Sequence, residues 1–254
     1  MRHFIATGTI ALAVSFGGSA QTNIASIVTK DVTEAVANEN VSIAIIGDSM
    51  ARSYCRGLQH QTRELESVDI LCWVHPSSGL TRNDYYDWAE ALNGNLTQTA
   101  PDAAIVSMGA NDAQRLVLNR KILEFASPDW SSEYSSRVDA FIQTLQKSGT
   151  RVFWVGMPIA RSARYSKRMR HLNEIYSESV KVHNALFLPL WELTQDKEGG
   201  FTNAMKDPGG RKRIARENDG IHFTRAGEHI VACHLIRNVF PEMGIDNMPA
   251  TCGT

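Results

Sequence analysis

The 254-residue chain carries 26 Lys and Arg against 27 Asp and Glu, a formal net charge of −1, with 43% hydrophobic residues. This balance argues against binding driven by overall charge to nucleic acid or to an anionic membrane surface. The length suits one catalytic-size domain with a substantial core, and neither a repeat nor a Pro/Gly/Ser-rich linker divides it.

Residues 1–20 combine Arg2, an apolar run from Phe4 to Phe16 and the small residues Gly17-Gly18-Ser19-Ala20, the pattern of a secretory signal peptide cleaved near Ala20. The apolar run is short for a bilayer span, so no stable membrane insertion is expected after cleavage; a retained N-terminal anchor is the alternative. Residues 21–40 are polar and weakly periodic, a spacer ahead of a domain over 41–254. Export, most simply to the periplasm, makes Cys55, Cys72, Cys233 and Cys252 candidates for two disulfides. Three pairings are possible. Short loops favour Cys55 with Cys72 and Cys233 with Cys252, and free buried thiols are the alternative.

The domain opens on V-S-I-A-I-I-G-D-S-M, Val41 to Met50, an apolar strand ended abruptly by glycine, aspartate and serine. Ser49 is there either a delivered nucleophile or part of an ordinary helix cap. Ala51–Glu66 reads as a helix, Val68–Val74 as the second strand, His75 to Gly79 as a loop and Asp84–Leu92 as a helix. Ala103–Met108 is the third strand, followed at once by Gly109-Ala110-Asn111-Asp112, and Ala113–Ser131 reads as a surface excursion. A helix over Ser132–Lys147 has Gly149 at its C-terminal cap. Arg151–Met157 is the fourth strand, Ser166–His183 a long helix and Ala185–Leu190 the fifth strand. After a second excursion over Trp191–Asn218, Thr224 caps a final helix to Phe240. Alternating strands and helices predict an α/β fold, a flavodoxin-like three-layer α/β/α sandwich on a five-stranded parallel sheet.

In such sheets ligands sit beyond the carboxyl ends of the strands. With strand order 2-1-3-4-5, Ser49, Gly79 and Asn111 follow adjacent strands, and Asp219-Gly220-Ile221-His222 returns to the same rim. The chemistry within reach is acyl transfer: His222 as base for Ser49, Asp219 orienting the imidazole, and an oxyanion hole from the amides of Ser49 and Gly79 and the side chain of Asn111. Taken singly, Gly79 also suits a turn and Asn111-Asp112 a helix cap. His60, His75, His171, His183, His229 and His234 show no metal-ligand spacing such as H-E-x-x-H, and neither a G-x-G-x-x-G nor a Walker A pattern occurs.

Gly47-Asp48-Ser49-Met50, the isolated Gly79, Gly109-Ala110-Asn111-Asp112 and Asp219-Gly220-Ile221-His222 resemble blocks I, II, III and V of the SGNH, or GDSL-type, hydrolase superfamily. The resemblance runs from Val41 to the final helix. It implies a serine esterase needing neither metal nor cofactor, with Ser49 as nucleophile, His222 as base and Asp219 as its orienter, which leaves Asp48 a structural role in the turn. Met50 stands where leucine is usual, a volume-conserving change. Locally, S-G-L-T-R, G-A-N-D-A-Q, W-V-G-M-P and D-G-I-H-F-T are similar to an exported bacterial subgroup of largely undefined substrate.

Two basic clusters border the expected site: Arg161, Arg164, Lys167, Arg168 and Arg170, then Arg211, Lys212, Arg213 and Arg216. They suggest an anionic substrate, such as an acidic or acylated envelope polysaccharide, with Arg164, Arg211 and Arg213 as candidate binding residues; a solvated helix face is the alternative for the first cluster. Trp73, Tyr85, Trp88 and Trp130 are candidate sugar-stacking surfaces or buried packing. Three functions follow: an esterase removing O-acetyl or similar groups from envelope carbohydrate, an O-acyltransferase using the same acyl-enzyme, and a catalytically silent glycan-binding module.

Overall fold

The computed structural model describes residues 40–253; the expected signal peptide and residues 21–39 of the spacer lie outside them. Five parallel strands form the central sheet: β1 (Val41–Gly47), β2 (Val68–Val74), β3 (Ala103–Ser107), β6 (Arg151–Val155) and β7 (Leu186–Leu188), in the order β2-β1-β3-β6-β7. Ile43 to Ile46 and Ala103 to Val106 are at most 1% exposed, because the central strands are covered by helices on both faces and so read as unbroken apolar runs. Helix α1 (Ser49–Thr62) packs with α5 (Arg225–Val239), while α2 (Trp88–Gln98), α3 (Pro128–Lys147) and α4 (Ala163–Val182) adjoin one another as the second helical layer. The expected three-layer sandwich is the fold observed.

Two helix starts and the two excursions differ from the sequence reading for local reasons. Helix α2 starts at Trp88, four residues late, because Asp87 caps it by accepting from the amides of Ala89 and Glu90. Helix α3 starts at Pro128 instead of Ser132, with Ser127 as cap and the proline in the first turn, where its missing N–H costs nothing. The excursion before it contains a hairpin, β4 (Leu116–Leu118) and β5 (Lys121–Leu123), turned by Asn119 and Arg120 at φ of 49° and 67°. The second excursion likewise holds a hairpin, β8 (Ala204–Lys206) with β9 (Lys212–Ile214).

Cys55 is bridged to Cys72, tying α1 to β2, and Cys233 to Cys252, tying α5 to the segment after it. Among the described residues no helix is long and apolar enough to cross a membrane.

Candidate active site

The turn after β1 is closely packed. Gly47 has φ +142°, and a Cβ there would lie 1.9 Å from the Ser107 carbonyl oxygen, so this position requires glycine. Asp48 is fully buried and caps α1: one carboxylate oxygen accepts from the Met50 amide at 2.8 Å, the other from the Ala110 amide at 3.1 Å. Burial pushes its carboxyl up to about 7 against the pull of those two amides. Asp48 thus fastens the β1 turn to the loop after β3 and leaves Ser49 as the first residue of α1, half-buried, with an amide that no carbonyl of the helix can accept.

Ser49 Oγ lies 2.8 Å from His222 Nε2, and His222 Nδ1 lies 2.6 Å from Asp219 Oδ2. The other Asp219 oxygen accepts from the amides of Ile221 and His222 at 2.7 and 3.0 Å. Partial burial raises the Asp219 carboxyl, but the His222 ring and the two amides outweigh it and hold the group down to about 2. An ionised carboxylate can only accept, so Nδ1 carries the ring proton and the Nε2 lone pair faces the serine hydroxyl.

The loop that presents His222 is held by a buried cation. Arg216, 2% exposed, donates to the carbonyls of Ile159 (2.9 Å), Ile221 (2.7 Å) and Gly220 (3.3 Å). Its guanidinium lies 4.5 Å from the centre of the Phe223 ring, and burial lowers its pKa to about 10. Arg161 adds a bond from Nη1 to the Asn218 carbonyl at 2.6 Å and one from its amide to the Gly220 carbonyl at 3.1 Å. These two arginines therefore act on the protein's own backbone instead of forming an open basic rim. Arg211 and Arg213 sit on the β8–β9 hairpin, where both donate to Asp207, at 3.2 and 3.0 Å, and their charge is partly neutralised there. Arg164 is exposed in the first turn of α4 without a hydrogen bond among the described residues.

On the other side of Ser49, Asn111 Nδ2 donates to the Ser78 carbonyl at 2.9 Å, which fixes the amide plane and leaves its second N–H free. Gly79 follows Ser78 directly. A Cβ at Gly79 would come within 2.3 Å of Asp112 Oδ1, so the need for glycine here is one of space. Asp112 is fully buried: Oδ1 accepts from the amide and hydroxyl of Thr81 at 2.8 and 2.9 Å, and Oδ2 from the Tyr134 hydroxyl at 2.8 Å. Burial raises its carboxyl as well. The chain continues from Tyr134 to the Tyr176 hydroxyl at 2.8 Å and from there to the Met108 carbonyl at 3.0 Å. Asp112 thus clamps the Gly79 loop to the loop that carries Asn111. The sequence suggested at most a helix cap for Asp112, with no hint of its bonds to Thr81 and Tyr134, because both partners lie on other elements. Arg216 was hidden inside a run of other basic residues.

A cavity of about 310 Å³ opens beside Asn111, lined by Ser77, Arg82, Tyr85, Asn111 and Gln114. Arg82 and Gln114 also line a neighbouring cavity of about 650 Å³ with Thr81, Asn83, Asp84, Arg115, Val117 and Arg137. Of the candidate stacking residues Trp88 and Trp130 are buried and Trp73 is partly buried, whereas Tyr85 is 52% exposed. Among the described residues no group of three or more His, Cys, Asp or Glu is arranged to hold a metal ion.

Residues 42–238 match the family model described as "Protein of unknown function (DUF459)". The chain belongs to the DUF459 family. No curated protein matches the DUF459 chain in sequence. Its fold is that of the SGNH hydrolases, as three solved structures illustrate. The psychrotrophic esterase EstA from Pseudoalteromonas sp. superposes with a TM-score of 0.54 at 15% identity, over 81% of the DUF459 chain and 100% of its own. A GDSL-like lipase from Bacteroides thetaiotaomicron gives 0.57 at 12% identity, over 85% and 97%. A catalytic mutant of an acetylxylan esterase from Geobacillus stearothermophilus gives 0.56 at 13%, over 80% and 95%.

Proposed function

We propose that this protein is an exported serine esterase that removes small acyl groups, O-acetyl first among them, from cell-envelope carbohydrate. The observation that carries this reading is the hydrogen-bonded chain from Ser49 Oγ through His222 to Asp219, at 2.8 and 2.6 Å. Ser49 attacks the ester carbonyl while His222 Nε2 takes the hydroxyl proton, and the imidazolium formed is stabilised by the ionised Asp219. The tetrahedral oxyanion is met by the Ser49 amide at the positive end of α1, the Gly79 amide and the free N–H of Asn111. His222 then returns the proton to the leaving sugar oxygen, and water repeats the sequence on the acyl-enzyme. Fold kinship with esterases, one of them an acetylxylan esterase, supports the reaction class, and two disulfide bridges are in keeping with an oxidising compartment.

The test is hydrolysis of p-nitrophenyl acetate and release of acetate from O-acetylated glycan by the purified protein. Both are expected from wild type and lost in Ser49→Ala by about 1,000-fold or more. Equal rates in the two proteins would refute the nucleophile. Acetate recovered on added acceptor sugar instead of in solution would turn the reading to an acyltransferase.

A further inference from the structure

The paired cavities beside Asn111 are larger than an acetyl group requires, and their walls have a definite chemistry. The smaller, about 310 Å³, is bounded by Arg82, Tyr85 and Gln114, and the larger, about 650 Å³, adds Arg115 and Arg137 against one acid, Asp84. Arg137 is engaged by Glu133 at 2.7 Å and by the Leu80 carbonyl at 2.6 Å, and so belongs to the wall. Arg82 is exposed and holds Asp84 through two bonds of 2.7 and 2.8 Å, which consumes that acid. Arg115 is exposed and makes no hydrogen bond or ion pair among the described residues. The exposed Tyr85 ring stands edge-on to His75, which is itself stacked on Tyr86 at 4.0 Å, so it is a braced aromatic surface at the cavity mouth. Gln114 Nε2 donates to the Asn111 carbonyl and so keeps its side chain against the same wall.

An unengaged guanidinium and an aromatic ring, in adjoining cavities beside Asn111, are the parts needed to hold a sugar ring and an anionic group attached to it. We infer that Arg115, with Tyr85, forms a subsite for a carboxylate-bearing sugar next to the acylated one, with Arg82 held by Asp84 as part of its wall, making an O-acylated uronate-type glycan the preferred substrate class. The inference rests on the esterase reading of Ser49, and it moves anion recognition away from Arg211 and Arg213, which Asp207 engages.

Binding tests it apart from catalysis. The Ser49→Ala protein, which leaves the polymer intact, is titrated calorimetrically at low salt with O-acetylated polygalacturonate, with the same polymer after reduction of its carboxylates to alcohols, and with a phosphate-bearing glycan. The acidic polymer is expected to bind about 10-fold or more tighter than the reduced one, with affinity falling as salt rises, and Arg115→Gln is expected to remove about 10-fold on the acidic polymer only. Arg115→Glu, a second surface substitution, is expected to weaken it further. Equal affinity for the acidic and reduced polymers, or no effect of either substitution, would overturn the subsite. Tighter binding of the phosphate glycan would overturn the carboxylate assignment. Retained, Arg115-dependent binding by a protein that hydrolyses no ester would sink the esterase reading and keep the subsite; Ser49-dependent ester hydrolysis with equal polymer affinities would do the reverse.

Discussion

Arg216 is a cation buried among main-chain carbonyls, with no carboxylate bonded to it among the described residues, and its three carbonyl partners include two from the segment that leads into His222. Replacing it with methionine keeps much of the packing against Phe223 but leaves those carbonyls without a donor. Arg216→Met is therefore expected to cost about 3 kcal/mol of stability and to lower kcat as the His222 loop loosens. Chemical denaturation and steady-state kinetics read the two effects, and an unchanged midpoint would contradict the assignment. Asn111 is held differently, by one side-chain bond to the Ser78 carbonyl among the described residues; on the proposed mechanism its second N–H donates to the oxyanion. Asn111→Ala should lower kcat by about 100-fold or more with little change in KM, since the oxyanion does not exist in the ground state. A change confined to KM would place Asn111 in substrate binding instead.

Among the elements, the β1–α1 junction is where packing and charge meet. Asp48 holds the turn from a fully buried position, and its carboxyl is raised from 3.8 to about 7, chiefly by burial and further by the neighbouring Asp112. For a raised acid the sign is that between these two values the folded protein keeps a proton the unfolded chain has lost. Stability accordingly falls as pH rises through that window. Thermal melts between pH 4 and 7 are expected to show a shallower fall in Asp48→Asn than in wild type; parallel slopes would contradict the burial argument. The strands and the Thr224 cap were legible in the sequence because each rests on consecutive residues: apolar runs ended by glycine, and a hydroxyl just ahead of a helix. Ser49 and Asn111 stood out as motifs at strand ends and Asp219-His222 as a pair ahead of the final helix. What was not legible depends on distant contacts. Gly79 needs to be glycine because of Asp112, 33 residues on, and Arg216 looked like its exposed neighbours until the fold put Ile159 and Ile221 around it. The three-residue strands of the β4–β5 hairpin are too short to show a period, and their turn is made by Asn119-Arg120 instead of a glycine pair.

At the scale of the whole molecule, the two bridges close sequence separations of 17 and 19 residues and tie α1 to the edge strand β2 and α5 to the C-terminal segment. Loops of that length restrict the unfolded chain by about 3 kcal/mol each on the chain-entropy account. Full reduction is expected to lower Tm on the order of 10 °C, followed by scanning calorimetry with thiol content checked by mass; an unchanged Tm in fully reduced protein would show that the bridges add nothing to stability. The Cys55–Cys72 bridge ties the helix that begins with Ser49 to β2, so the thermal loss of the proposed esterase activity is expected to follow the same shift. The sheet brings residues from four loops to one rim, and the proposed reaction requires Ser49 to be the group that takes the acyl group. Covalent trapping measures this most directly: the protein is incubated with a p-nitrophenyl phosphonate ester, and the adduct is located by peptide mass spectrometry. One equivalent on Ser49, absent from Ser49→Ala and strongly slowed in His222→Ala, is the expected result. Labelling at another residue, or equal labelling of Ser49→Ala, would contradict it.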